Sequence, residues 1–239
     1  MLVEVCANSL ESALNAEKAG ADRIELCSEL GVGGVTPSFG LISLVKQKLS
    51  IPIHVLIRPR SGHFTYSQSE FQVLLKDIEM CKEAQVDGIV SGVLKADASL
   101  DIERTKQIVK AAKPLHFTFH RAFDWVANQK HVLKQLENLG VDSVLTSGAQ
   151  VTAEQGMQQL KELYDLAGNI TIMPGGGVNA INIEGFKKVG FRAIHLSGTS
   201  FVNKVALNQK IAMNSQKHLV EDEIAVTNEE IIRQIVQRV

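Results

Sequence analysis

Between residues 23 and 27 every second side chain carries chemistry: a guanidinium at Arg23, a carboxylate at Glu25 and a thiol at Cys27, with Ile24 and Leu26 between them. A period of two is the mark of an extended strand whose two faces differ. The same alternation recurs along the chain. "VEVCA" brings Glu4 and Cys6, "HVLIR" brings His54 and Arg58, "HFTFHR" brings His116, Thr118 and His120, and "IHLSG" brings His195 and Ser197. Carboxylates and imidazoles give acid–base chemistry near neutral pH. Thiols are soft donors suited to Cu(I), and guanidinium groups clamp phosphate or carboxylate.

Such rows need elements that bring them together. Short apolar, β-rich runs begin near Leu2, Arg23, Ile53, Asp87, Leu115, Asp142, Ile170 and Arg192, and the segments between them mostly show helical periodicity. Ser9 precedes one amphipathic run that stops at Gly20, Thr36 with Pro37 opens another, and "AGAD", "LGVD" and "VGFR" punctuate the passage from helix to strand. Strand starts about 27 residues apart match the length of a βα unit, and eight units make a (β/α)8 TIM barrel. An open doubly wound sheet is the alternative. In an all-parallel barrel the face toward the helices must be apolar, so the polar rows project into the barrel or its mouth. Glu4, His54 and His116 serve equally well there as hydrogen-bonded filling. Cys27, Arg58, His120 and Ser197 fall at strand ends, where barrel sites are built.

Composition narrows the classes. The chain has 239 residues, 45% of them hydrophobic, and reads as one domain over 1–239, with the barrel core at about 1–200 and a loop and final helix at 201–239. Twenty-five basic residues against 26 acidic ones leave a net charge of −1 without a basic block, so no nucleic-acid partner is expected. No long apolar run or leader is evident, which predicts an unprocessed cytoplasmic protein with no membrane contact. Its three cysteines then stay as thiols. After the last strand a long polar stretch delays the final helix, for which Thr227 and Glu230 form a capping box. That stretch is expected to be a lid, an oligomer contact or disordered.

Three kinds of protein fit. Cys6 and Cys27 share a parity on strands about 4.8 Å apart, so their sulfurs can converge on a metal ion, whereas Cys81 lies in a helical run. An enzyme acting on a small phosphorylated or carboxylated metabolite would use Glu25 and His120 as acid and base, with Asp124 orienting the imidazole. Its anion site would comprise Arg58 and Arg60 together with Gly175, Gly176 and Gly177 after the seventh strand and Ser197 and Gly198 after the eighth. A non-catalytic binding or scaffold barrel would not need Glu, His and Arg to converge.

In order, "EVCA", "GADRIELC", "GGVTPS", "IRPRSGHF", "TFHRAFD", "LTSG", "MPGGGV" and "IHLSG" resemble the CutC family of copper homeostasis proteins over roughly residues 2 to 200. The resemblance implies a cytosolic (β/α)8 barrel, usually a homo-oligomer, associated with copper handling. Cys6 and Cys27 match the thiols proposed to hold copper in that family, so Cu(I) is the implied ion and no organic cofactor is. Two positions depart from the family pattern: His63 stands where an Asp is usual, and Ala193 where a Glu is usual two residues before the eighth strand's histidine.

Overall fold

The fold is given by a computed structural model that describes residues 1–203, 211 and 223–239. Eight parallel strands form the sheet: β1 (Leu2–Ala7), β2 (Arg23–Leu26), β3 (Ile53–Leu56), β4 (Gly88–Ser91), β5 (His116–Phe119), β6 (Ser143–Thr146), β7 (Thr171–Pro174) and β8 (Ala193–Leu196). Each pairs with its sequence neighbours, β1 also pairs with β8, and a parallel bridge between Gly175 and His195 joins β7 to β8. The sheet is therefore closed into a (β/α)8 TIM barrel. Helices α1 (Leu10–Lys18), α2 (Phe39–Lys48), α3 (Gln68–Glu83), α4 (Ile102–Ala112), α5 (Gln129–Leu139), α6 (Met157–Leu166), α7 (Ile183–Val189) and α8 (Glu229–Val236) follow the strands in turn.

The punctuation seen in the sequence has a structural cause. Asp22, Asp87 and Asp142 stand just before β2, β4 and β6, and each accepts a hydrogen bond from the first residues of the preceding strand: Val3 N at 2.7 Å, Ile53 N at 2.9 Å and Phe117 N at 2.8 Å. These carboxylates pin the lower rim of the barrel two strands at a time, satisfying backbone donors that no ladder reaches. Most helix starts follow Ser, Asn or Asp caps. Ser9 caps α1 as its sequence suggests, but α2 is capped by Ser38 and not at Thr36, whose hydroxyl accepts from Arg58 N instead. Likewise α8 is capped by Asn228, because Thr227 is drawn into a strand.

That strand belongs to a hairpin the sequence reading missed. The polar stretch after β8 begins as β9 (Thr199–Asn203) and ends as β10 (Glu223–Thr227), paired antiparallel. The hairpin is sewn to the first βα unit: Asn8 Nδ2 donates to Ala225 O, Asn15 Nδ2 to Thr227 O, and Thr227 N to Ser12 Oγ. The expected lid or disordered loop at 204–210 and 212–222 lies outside the described residues. Among the described residues no helix is long and apolar enough to cross a membrane.

The barrel wall is apolar toward the helices. Val3, Val5, Ile24, Ile53, Val55, Ile89, Phe117, Val144, Ile172 and Ile194 are buried in one continuous core with helix residues such as Phe71, Leu74, Leu133 and Phe186. The opposite parity fills the interior, and much of it is polar: Glu4, Arg23, Glu25, His54, Thr118 and His120 are all buried. Gly88 makes room for one of these side chains, since a Cβ there would lie 2.5 Å from the His54 ring. His54 and His116 then pack against one another, ring centroids 4.8 Å apart and planes tilted by 33°.

Candidate functional site at the barrel mouth

Glu4 on β1 lies opposite Arg23 on β2 and His195 on β8 in the ladder register, which sets three charged groups side by side. Arg23 Nε donates to Glu4 Oε2 at 2.6 Å and His195 Nδ1 donates to Glu4 Oε1 at 2.8 Å. Burial by itself would push the Glu4 carboxyl up, but the bond from His195 and the charge of Arg23 outweigh it and hold the group at about 2. Glu25 stands one step higher. Burial pushes it up to about 7 against the pull of His195, whose Nδ1 lies 3.6 Å from Glu25 Oε2. The imidazole, opposed by burial, is raised by the charges of Glu25 and Glu4. A fixed anion, a guanidinium, a carboxyl pushed up to about 7 and an imidazole raised above its ordinary value thus share one cluster. Such a cluster can give and take a proton at pH 7. Single donor atoms of Glu4, Glu25 and His195 also lie within 4.8 Å of one another, close enough to hold a cation. Arg23 and the His195 proton already occupy Glu4, which favours proton sharing over a metal.

Above this cluster a cavity of about 280 Å³ opens at the carboxyl ends of the strands. Cys6, Glu25, Arg58 and His120 line it from one side, and Gly176, Gly177, Ser197 and Gly198 from the other. Of the residues picked out from sequence, Cys27, Arg60, Asp124 and Gly175 are not part of its lining. Cys27 lies directly behind Cys6, the two sulfurs 3.6 Å apart, in a small apolar cluster with Leu56 and Val90. The bond between the sulfurs, burial and the nearby carboxylates push the Cys6 thiol well above its ordinary range. Cys81 is buried in α3, as its helical position suggests.

Three of the expected roles need correction. Asp124 does not orient His120. Its carboxylate accepts from Thr146 Oγ1, from Ser147 N and Oγ, from Ala149 N and from Arg121 Nε at 2.8 Å, tying the turn after β5 to the end of β6. His120 is held neutral. Its Nδ1 accepts from Ala122 N at 3.2 Å, and burial together with the charge of Arg58 holds the ring at about 3, so it stays neutral with its proton on Nε2. Arg58 and Arg60 do not form a joint clamp. Arg60 is paired with Glu70 at 2.5 Å and bound to the carbonyls of Ser61, His63 and Thr65, outside the cavity. Arg58 faces the cavity but spends its terminal nitrogens on the carbonyls of Val32, Gly34 and Gly62, so it contributes charge and shape.

Gly175 is likewise committed, its N–H donating to Thr146 O. His63, one of the departures from the family pattern, sits in this Arg60 loop, where its Nδ1 accepts from Thr65 N at 3.3 Å. Two residues that matter were not assigned from sequence. His195 had the right parity, but its partnership with Glu4 depends on a register between the first and last strands. Arg121 lines the cavity from the turn after β5, where no periodic pattern points to it.

The site is thus a closed (β/α)8 barrel with a polar interior, two adjacent thiols and a titratable cluster below an open mouth. Comparison with known proteins is specific. The sequence profile of the CutC family matches residues 1–200, and the chain belongs to that family. A CutC family protein of Salmonella agona is 46% identical over 196 residues, which are 82% of this chain and 79% of that one. The counterpart in Salmonella typhi is 45% identical, again over 82% of this chain and 76% of its own. Among solved structures, one described as a CutC copper homeostasis protein of Streptococcus agalactiae superposes with a TM-score of 0.78 at 35% identity, covering 82% of this chain and 97% of that one. The 3-hexulose-6-phosphate synthase of Salmonella typhimurium shares the fold alone, with a TM-score of 0.63 at 14% identity, covering 99% of this chain and 97% of its own.

Proposed function

We propose that this protein binds Cu(I) in the cytoplasm through Cys6 and Cys27. The observation that carries this reading is the 3.6 Å approach of two free thiols, one of them lining an open cavity. Two sulfur donors select a soft ion such as Cu(I), and a reducing compartment keeps both as thiols. The copper homeostasis description of the Streptococcus agalactiae relative points the same way. Anaerobic titration against a Cu(I)-selective chelator is expected to give one ion per chain for wild type, with no change in Cys81→Ser. In the Cys6→Ser/Cys27→Ser variant the affinity should fall by about a hundredfold or more, some 2.7 kcal/mol. Undiminished binding in that double variant removes the proposal.

A second reading is favoured by the His195 bond to Glu4 at 2.8 Å, with Glu25 close to the same nitrogen. It is an acid–base enzyme acting on a small phosphorylated or carboxylated metabolite, His195 and Glu25 exchanging the proton and Glu4 fixing the imidazole. Turnover that disappears in a folded His195→Gln variant supports it. Absence of turnover for every compound that binds the mouth counts decisively against it.

A further inference from the structure

Two polar side chains that face the cavity each leave one atom without a hydrogen bond: Glu25, 4% exposed, at Oε2, whose charged neighbour His195 Nδ1 lies 3.6 Å away, and His120, 6% exposed, at Nε2. Leaving a buried polar atom unpaired costs about 1–3 kcal/mol, so both atoms await a ligand or water. One is an acceptor. The other, because Nδ1 already accepts from Ala122, is a fixed N–H donor.

Across the cavity from these strands, the turn after β7 offers donors of another kind. Gly176 and Gly177 adopt φ of +103° and +76°, and the N–H groups of Gly176, Gly177 and Val178 have no partner among the described residues. Successive amides in such a turn make a concave site for an oxyanion. Arg121 stands against it: a Cβ at Gly176 would lie 3.2 Å from Arg121 Nη1. Asp124 and Ser147 hold the other side of that guanidinium, through Nε at 2.8 Å and Nη2 at 2.6 Å, so Nη1 is presented in a fixed orientation. The missing side chain at Gly176 therefore leaves a charged, donor-lined space.

We propose that the mouth binds a small hydroxylated anion, its phosphate or carboxylate group held by the Gly176–Val178 amides and Arg121, and its hydroxyls by His120 and Glu25. A hydroxyl both accepts and donates, which matches the N–H of His120 and the Glu25 oxygen that receives no hydrogen bond. A cavity of about 280 Å³ suits a compact metabolite and not a nucleotide or peptide. Arg58 and Arg121 bring positive charge to a cavity whose lining holds one carboxylate, Glu25, Arg121 being itself paired with Asp124 outside it. The inference names the ligand of the second reading above, but it stands on binding alone, so an absence of turnover leaves it intact.

Calorimetric titration of the metal-free protein tests it, with glycerol 3-phosphate and glycerate as probes and propyl phosphate and butyrate as their counterparts lacking hydroxyls. At least one hydroxylated probe is expected to bind in the micromolar to low millimolar range, roughly. Its counterpart should bind about tenfold more weakly. Arg121→Gln should weaken the hydroxylated probe and its counterpart alike, by about tenfold or more, since a charge-assisted contact is lost. His120→Leu should bring the hydroxylated probe down to the level of its counterpart, and His120→Gln, which keeps a donor, should restore the difference. The circular dichroism of each variant checks that it is folded. The proposal is overturned if neither hydroxylated probe binds at about 10 mM, if hydroxyls bring no gain, or if a folded Arg121→Gln variant binds as wild type does.

Discussion

Replacing Glu4 with alanine is expected to destabilise the protein by about 3–5 kcal/mol, the cost of leaving a buried charge without its counter-ion. Glu4 is fully buried, and its two oxygens receive Arg23 and His195 separately, so no water can take over either bond. Urea denaturation monitored by circular dichroism measures the loss as a lower midpoint. The control is Glu4→Leu/Arg23→Met, which removes both charges; it should recover at least half of the loss, because well-packed apolar pairs commonly replace buried ion pairs without penalty. A Glu4→Ala midpoint within about 0.5 kcal/mol of wild type, the range of ordinary surface changes, would show that the interior charges do not hold the barrel together.

The second large effect is a loss of stability on mild acidification, and its sign follows from opposing contributions. His54 and His120 are held at about 3 against an ordinary 6.5, in both cases chiefly by burial. The unfolded chain therefore takes up their protons first, and stability falls as pH drops from 6.5 toward 3. Glu4, held at about 2 against 4.5, contributes stability that is present above pH 4.5 and lost toward pH 2. Glu25 works in the other direction: raised to about 7, it stabilises the fold fully below pH 4.5 and less as pH rises through 7. The raised His195 acts with Glu25. Between pH 6.5 and 4.5 the two neutral histidines outweigh Glu25, at about 1.4 kcal/mol per pH unit for each group, leaving a net loss of about 1 kcal/mol per unit. Denaturation midpoints across that window should fall accordingly. His54→Gln removes one histidine from the balance and should make the profile shallower, with His120 and His116, which burial also lowers, still taking up protons late. A wild-type profile that is flat or rises on acidification contradicts this account.

Much of the barrel was legible because it rests on local rules. Alternation of apolar and polar residues located all eight strands to within a residue, and strand parity pointed Glu25, Cys27, Arg58 and His120 to one mouth, where Glu25, Arg58 and His120 do line the cavity but Cys6 stands in front of Cys27. What escaped depends on distant partners. Thr36 and Thr227 look like helix caps in isolation, yet each is claimed by a neighbouring strand or loop, and the capping falls to Ser38 and Asn228. Asp124 was read with the histidine four residues away in sequence, whereas its carboxylate is taken by the end of β6. Arg121 could not be found by periodicity because it lies in a short turn. The hairpin β9–β10 was hidden in a stretch without alternating apolar residues, and only pairing across the intervening segment makes it a strand pair.

The bond between Glu4 and His195 spans 191 positions of the chain, and those between the hairpin and the first βα unit span more than 200. A chain emerging from the ribosome carries Glu4 and Arg23 long before the imidazole that completes their set exists. Until β8 is made, β1 and β7 are open edges, and open edges recruit other chains. The proton-sharing cluster is thus also the clasp of the ring: it can form only on a finished polypeptide. Any product terminated before residue 195 lacks the cluster and the closure together, which makes unfinished chains prone to aggregate.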